Sequence, residues 1–247
     1  MLYRLLDFLF AFFGLIVSSP ILIPVCIAVW LYDRHSPFYV APRVGRGGRL
    51  FRMVKLRSMT VNADKSGVDS TARNDSRITP VGHVIRKYKL DELTQLWNVL
   101  IGQMSLVGPR PNVETETRLY TEEEQRLLSI RPGITDFSSI VFADEGEILE
   151  EHEDPDLGYN QLIRPWKSRL SLFYVDNRSI GLALKLVLFT ILAIFSRSRV
   201  LHYVSSELRN RGAPAELVQI ALRESPLAPH PPPGATDIVT SRHVELS

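Results

Sequence analysis

The sequence is almost free of cysteine: its 247 residues contain one, Cys26, which lies inside an apolar run. A single cysteine excludes an internal disulfide framework and a zinc site built from several thiolates. A large excess of one charge is also missing, because 29 basic and 27 acidic residues give a formal net charge of +2. So small a charge gives no basis for nucleic-acid binding. The composition therefore predicts neither a disulfide-stabilised module nor a nucleic-acid partner.

Charged residues are absent between positions 8 and 32. This apolar run of roughly 25 residues is long enough to cross a bilayer as a helix and too long for a cleavable signal peptide. Ser19 and Pro20 lie near its middle, where proline removes a backbone donor and predicts a kink. Because Arg4 and Arg34 flank the two ends, the charges do not select an orientation. An ordinary kinked transmembrane helix and a helix–break–helix that returns to the same face both remain open.

Short strands and a loop are predicted after the apolar run. Glycine and arginine are interspersed over residues 43–49, which predicts a turn before a strand over residues 50–55. Lys55 and Arg57 lie two residues apart, so both side chains would point to one side of a strand. A solvated strand edge explains these cations as simply as a phosphate contact does. The polar residues 61–79 lack periodicity and predict a long loop.

The second half of the chain carries weaker signals. Residues 131–135 predict a turn, and residues 137–142 predict a strand. The acidic residues 144–156 are interpreted as a solvated charge run, with a carboxylate-rich metal site as the alternative. Residues 181–196 are apolar but short for a span, which predicts a buried core helix or a helix lying in the membrane interface. The proline-rich residues 225–247 predict disorder.

Residues 86–111, RKYKLDELTQLWNVLIGQMSLVGPRP, join cations to an adjacent carboxylate pair, Asp91 and Glu92. The apolar residues that follow recur at 0, +3, +4 and +7 and predict one buried helix face: Leu93, Leu96, Trp97 and Leu100. Asp91 falls nearly opposite this face, and aspartate is a favoured N-cap, so we expect a helix to begin there. One long helix from about Pro80 is the alternative. Acidic residues are favoured in any first helical turn, so the pair alone does not establish a catalytic site.

The motif DEL-x-QLWNVL-x-G-x-MSLVGPRP within this stretch closely resembles the signature of the bacterial monotopic phosphoglycosyl transferases, also called polyprenyl-phosphate sugar-phosphate transferases. The resemblance extends to residues 55–59, 131–135 and 174–177, and covers most of the chain from residue 1 to about 203. Two positions depart from the family pattern. Thr94 stands where members commonly carry proline, and Ala143 stands near a position where many carry an arginine for the nucleotide.

The resemblance implies a mostly helical α+β fold with a small β-hairpin or sheet and an N-terminal re-entrant helix broken at Ser19 and Pro20. It implies three parts: a membrane anchor over residues 1–34, a catalytic domain with interfacial helices over residues 35–204, and a partly disordered tail over residues 205–247. The family's monotopic attachment implies contact with phospholipid at the inner membrane, with the catalytic domain on the cytoplasmic face. The oligomeric state is not implied, and a homodimer stays open.

The chemistry implied by the resemblance is transfer of a sugar 1-phosphate from a nucleotide sugar, with UDP the expected nucleotide, to undecaprenyl phosphate. Asp91 would act as the nucleophile and Glu92 would bind Mg²⁺, with Asp91 as a second ligand. The residues expected to bind the phosphates are Lys55, Arg57, Arg86, Arg110, Pro111 and Arg131. Two rival readings use the same residues: a membrane-anchored hydrolase of nucleotide sugars or lipid phosphates, and a non-catalytic scaffold for envelope polysaccharide assembly.

Overall fold

The computed structural model describes residues 2–63 and 75–241, so most of the loop predicted over residues 61–79 lies outside the described residues. The helices are α1 (Leu2–Asp33), α2 (Pro80–Lys87), α3 (Leu90–Leu93), α4 (Leu96–Leu100), α5 (Glu114–Thr117), α6 (Glu122–Gln125), α7 (Phe137–Val141), α8 (Glu145–Ile148), α9 (Pro155–Gly158), α10 (Arg164–Asp176), α11 (Ile180–Ala193), α12 (Arg197–Asn210) and α13 (Ala215–Leu222). The strands are β1 (Phe38–Val44), β2 (Leu50–Leu56), β3 (Ser105–Val107) and β4 (Gly133–Thr135). The predicted mostly helical α+β class is confirmed.

Helix α1 runs through its two prolines without interruption. Pro20 leaves the carbonyl of Ile16 without its usual amide donor, and the Ser19 hydroxyl donates to that carbonyl at 2.7 Å. The Ser18 hydroxyl makes a similar bond, at 3.3 Å, to the carbonyl three residues before it. The predicted break is therefore absent, because serine hydroxyls satisfy carbonyls in the turn before Pro20. The re-entrant course through a membrane stays a prediction.

One stripe of α1 packs on the rest of the protein along the whole helix. Its buried residues, separated by steps of 4, 7, 4 and 7, are Asp7, Ala11, Ser18, Leu22 and Val29. Such steps keep to one side of a helix. The first half of the stripe packs on α4 and β2, and the second half packs on α2 and the end of β2. The remaining faces of α1 leave large apolar side chains exposed.

Polar contacts fasten both ends of α1 to the folded domain. The Arg4 guanidinium donates to the carbonyl of Leu100, in α4, at 2.6 Å. The buried Asp7 carboxylate accepts from the Ser105 hydroxyl at 2.8 Å. At the other end, Asp33 pairs with Arg57 through two bonds of 2.6 Å. The two ends of the apolar helix therefore contact the same domain.

The predicted hairpin is confirmed: β1 and β2 pair antiparallel from Phe38 opposite Leu56 to Val44 opposite Leu50. Asn98 of α4 fixes β2 to the helices. Its carboxamide oxygen accepts from the Val54 amide at 2.9 Å, and its nitrogen donates to a β2 carbonyl at 2.7 Å. This contact sets the position of the β2 residues relative to the segment that follows α2.

The chain breaks between α2 and α3, so the alternative of one long helix is wrong. Lys89 adopts the left-handed conformation at φ 52° and ends the path of α2. The next helix begins at Leu90, one residue before the predicted start, so Asp91 lies in the first turn rather than at the N-cap. Thr79 caps α2 by accepting from the Gly82 amide at 2.9 Å. Trp97, predicted to be buried, is 50% exposed, because α4 is a separate short helix that buries other positions.

The strand predicted over residues 137–142 is wrong, because this segment is α7. The Asp136 carboxylate accepts from the Ser139 amide at 2.8 Å and so caps the helix. The predicted turn just before it contains β4, which pairs in parallel with β3. The close approach requires glycine, since a Cβ on Gly133 would lie 2.1 Å from the Gly108 nitrogen. This pairing holds residues 108–111 beside the site described below.

The largest core joins α7 and α10 to α11, α12 and α13. Helix α12 crosses residue 204, so the predicted end of the catalytic domain falls inside a helix whose buried side chains belong to this core. The disorder predicted from residue 225 is not found up to residue 241. In this segment the His230 amide donates to the carbonyl of Gln161 at 3.0 Å, and its ring lies 4.6 Å from that of Trp166. Packing on α10 therefore gives the proline-rich tail a defined path.

Candidate active site

A cavity of about 850 Å³ opens between β2, the α2–α3 break, the segment after β3, and α8 to α10. Five of the predicted site residues line it: Lys55, Arg86, Asp91, Glu92 and Arg110. The neighbouring cation Lys89 lines it too. Pro111 lines it as well. A volume of this size lies in the range of small-molecule sites.

Asp91 sits at the wall of this cavity rather than in an apolar core. Its side chain is 16% exposed, and its Oδ2 lies 3.6 Å from Nζ of Lys55. The buried Thr94 holds α3 against β2, since its hydroxyl lies 3.0 Å from the Asp91 carbonyl and 3.2 Å from that of Val54. The threonine that departs from the family pattern thus fixes the carboxylate beside the β2 lysine.

Glu92 forms an ion pair with Arg110 at the cavity wall. Its Oε1 accepts from Nη1 of Arg110 at 2.8 Å, and the Glu92 side chain is only 14% exposed. Burial raises the pKa of Glu92, but Arg110, Lys89 and Lys55 outweigh it and leave that pKa well below its ordinary value. The same pairing raises the pKa of Arg110. Both groups are therefore charged at neutral pH.

Two further cations of the cavity are held in less favourable surroundings. Burial, followed by the repulsion of Arg110, lowers the pKa of Lys55 despite the attraction of Asp91 and Glu92. Burial also lowers the pKa of Arg86, whose Nε donates to the Ser58 hydroxyl at 3.2 Å. An anion entering the cavity would offset the cost of burying these charges.

Arg57 and Arg131 are not brought to the cavity, which corrects the set of predicted phosphate ligands. Strand β2 ends at Leu56, so the alternation that placed Arg57 beside Lys55 stops one residue too early. Arg57 is 8% exposed and binds Asp33 instead. The Arg131 guanidinium donates to the carbonyl of Gly102 at 3.0 Å.

A further group of residues that line the cavity was not predicted from the sequence. Glu145, from the acidic run interpreted as solvated, lines the cavity and pairs with Lys167 of α10 at 2.7 Å. Tyr159 lines the cavity too. The neighbouring Asp144 pairs with Arg197 at 2.8 Å. Ile148 and Leu149 interrupt the acidic run. They were the available sign that part of the run is buried, because a fully solvated run needs no apolar residues.

The two adjacent carboxylates fit a magnesium ion. Within the described ranges, no three His, Cys, Asp or Glu side chains are grouped so as to hold a metal by themselves. Magnesium is, however, commonly held by one or two carboxylates together with water and substrate phosphates. Asp91 and Glu92 line one cavity and offer the oxygen ligands such a shared site needs.

Residues 1–197 match the family model described as bacterial sugar transferase. This range contains every residue that lines the cavity. The chain belongs to the bacterial sugar transferase family. The matched range ends at the start of α12, so α12, α13 and the tail packed on α10 lie almost wholly beyond it.

Several characterised sugar transferases are similar to this chain. It is 32% identical over 205 residues to the UDP-N-acetylgalactosamine-undecaprenyl-phosphate N-acetylgalactosaminephosphotransferase of Aeromonas hydrophila, covering 78% of this chain and 43% of that one. It is 33% identical over 192 residues to the UDP-glucose:undecaprenyl-phosphate glucose-1-phosphate transferase of Klebsiella pneumoniae, covering 76% and 39%. It is 40% identical over 150 residues to the UDP-galactose-lipid carrier transferase of Erwinia amylovora, covering 53% and 31%. The chain thus spans less than half the length of each of these relatives.

Proposed function

We propose that this chain transfers a sugar 1-phosphate from a UDP-sugar to undecaprenyl phosphate through a covalent intermediate on Asp91. The relatives from Aeromonas and Klebsiella carry both substrates in their names, which supports this choice of donor and acceptor. The observation that carries the proposal is the surroundings of Asp91. It is a partly exposed carboxylate in a large cavity, and the cations that line this cavity include Lys55, Arg86, Lys89 and Arg110.

The proposed reaction has two displacements at one phosphorus. First, a carboxylate oxygen of Asp91 attacks the phosphorus attached to the sugar, and the bond from that phosphorus to the UMP oxygen breaks. UMP leaves with the bonding electrons. Next, an oxygen of the lipid phosphate attacks the same phosphorus, and Asp91 departs as a carboxylate. The products are UMP and a polyprenyl diphosphate sugar.

The cations of the cavity suit this chemistry because both substrates are anions. Phosphoryl transfer depends mainly on positioning and on stabilising charge at the phosphate oxygens. Lys55 is 3.6 Å from Asp91, so it lies where a phosphate bound to that carboxylate would arrive. Arg110 is held by Glu92, and the proline after it stiffens the backbone that presents it. A magnesium ion bound by Asp91 and Glu92 would supply further positive charge at the phosphate oxygens.

The outer surface of α1 supports attachment to a membrane. Helix α1 is the one helix of the described residues that is long and apolar enough to cross a bilayer. Its exposed side chains include Phe8, Phe12, Phe13, Ile16, Val17, Ile21, Ile23 and Ile27. Arg4 and Asp33, near the two ends of α1, both contact the same domain, which supports a membrane attachment in which both ends lie on one side of the headgroup layer. This favours the monotopic arrangement, in which the cavity faces the cytoplasm and the lipid phosphate lies within reach.

The direct test replaces Asp91 by asparagine in the full chain, assayed with UDP-sugars and undecaprenyl phosphate. Asp91→Asn should lower UMP release by roughly 10⁴-fold, the scale seen when a catalytic residue is removed. Asp176→Asn is the matched control, because that carboxylate is 49% exposed and pairs with Arg126 away from the cavity. Near-normal transfer by Asp91→Asn would refute the covalent route.

The acceptor is tested by the conditions under which UMP appears. The proposal expects net UMP release only with lipid phosphate, and exchange of labelled UMP into the UDP-sugar without it, since the first step alone is reversible. Release of UMP and sugar phosphate with water alone would indicate the hydrolase. Absence of both activities would indicate the scaffold.

A further inference from the structure

The cavity has a second cluster of polar side chains, contributed by α8, α10 and the turn between α9 and α10. Glu145 lies at the start of α8, Lys167 lies within α10, and their side chains pair at 2.7 Å. Tyr159 lies beside them, with Nζ of Lys167 5.3 Å from the centre of its ring. All three line the cavity. None of them is used by the proposed phosphate chemistry.

A π-helical turn over residues 159–163 brings Tyr159 and Lys167 together. In a regular α-helix, residues eight apart differ by about 80° around the axis, because each residue turns by about 100°. The wider π turn reduces that difference, and such turns are frequent at functional sites. The observed contact between the ammonium group and the ring shows that the two side chains share one face.

The charge around Glu145 differs from the charge around Asp91. Burial raises the pKa of Glu145, but Lys167, followed by Arg110 and Lys55, outweighs it and leaves the pKa lowered. Glu145 is therefore a carboxylate, and its charge is cancelled locally by Lys167. A neutralised pair offers no net attraction to a phosphate. It does offer strong hydrogen-bond acceptors beside a strong donor, a combination suited to an uncharged group with several hydroxyls.

We propose that Glu145, Lys167 and Tyr159 form a subsite for a vicinal diol of the donor, with Glu145 accepting from two hydroxyls and Lys167 donating to one. The inference rests on the proposed function, because the diol that it binds belongs to the proposed UDP-sugar donor. Two parts of the donor carry such diols, the hexose ring and the ribose. Both parts would present two neighbouring hydroxyls to Glu145 and Lys167, and the experiment below distinguishes the hexose from the ribose.

Binding of UDP-glucose, UDP-galactose and UMP is measured on full chains that carry Asp91→Asn, so that no turnover occurs. Adding Glu145→Gln should weaken UDP-sugar binding about 10-fold or more, and Tyr159→Phe should weaken it about 3-fold. If the hexose is bound, UMP affinity stays unchanged and the ratio between the two C4 epimers changes. If the ribose is bound, UMP affinity falls by the same factor as UDP-sugar affinity.

Glu207→Gln is the control, since it removes ion pairs of the same 2.7 Å length, with Lys185 and Arg211, that lie away from the cavity. The exchanged pair Glu145→Lys with Lys167→Glu separates binding from folding. Relative to Glu145→Gln, the exchanged pair should recover the melting temperature of the wild type but not its affinity for the UDP-sugar. Unchanged binding in both Glu145→Gln and Tyr159→Phe, while the wild type binds and transfers, would overturn the subsite alone. Failure of the wild type to bind or transfer from any UDP-sugar would overturn the proposed function with it.

Discussion

Replacing Arg57 distinguishes a contact that holds the end of α1 from a contact with a substrate phosphate. Its side chain is 9% exposed and makes two bonds of 2.6 Å to Asp33, which is 23% exposed. Breaking a buried ion pair costs about 3–5 kcal/mol, but water reaches Asp33, so we expect about 2–3 kcal/mol for Arg57→Gln. In a chain of this size that loss lowers Tm by about 4–12 °C. The KM for the UDP-sugar should stay within about twofold of the wild type.

The assay is thermal unfolding of the detergent-solubilised full chain, with Asp33→Asn and the double variant completing a mutant cycle. The double variant should lose less than the sum of the single losses, because neither charge is left buried alone. Arg118→Gln is the control. Its 2.8 Å pair with Glu114 is mostly exposed, so about 0.5 kcal/mol or less is expected. An unchanged Tm with a raised KM would refute the reasoning and return Arg57 to the phosphate site.

Three further outcomes are expected. Arg110→Met should lower kcat by roughly 10²–10³-fold, whereas Arg131→Met, whose guanidinium lies outside the cavity, should lower it by less than about 10-fold in the same assay. Gly133→Ala should abolish or strongly lower the cooperative melting transition, since its Cβ would lie 2.1 Å from a backbone nitrogen, whereas Gly181→Ala meets nothing within 4 Å and should change Tm by only a few degrees. The lowered pKa of Glu92 stabilises the fold fully above about pH 4.5, a contribution lost as pH falls further. The acid-side fall in Tm should therefore be shallower in Glu92→Gln, and equal slopes would contradict the assigned pair.

Sequence patterns predicted the secondary structure correctly where residues within a single turn determine it. The β1–β2 hairpin follows from residue types that act within a few positions. Prediction was wrong where packing in the core, a cap or an unforeseen turn overrode the local composition. Residues 137–142 have a strand-like composition, but capping by Asp136 and burial in the core make them a helix. Trp97 matched a helical stripe, yet the turn between α3 and α4 left it half exposed.

The same distinction holds for the cavity. The carboxylate pair and the cations at positions 55, 86 and 110, which line the cavity, could be named from the sequence alone. They lie in two short motifs, residues 86–111 and residues 55–59. Glu145 and Lys167 are 22 residues apart and meet only because α8 and α10 pack on one core. Arg57 was misplaced because a pattern of alternation gives no information on where a strand ends.

By itself the sequence determined the class of the protein: a long uncharged run, a basic hairpin and a carboxylate pair in a motif specific to one family. These are properties of neighbouring residues, whose spacing and chemistry do not depend on the rest of the chain. Only the tertiary structure decided which charges meet. Electrostatic energy depends on distance and burial, so Arg110 faces Glu92, Arg57 holds the end of α1, and Lys167 neutralises Glu145 through contacts between separate segments of the chain.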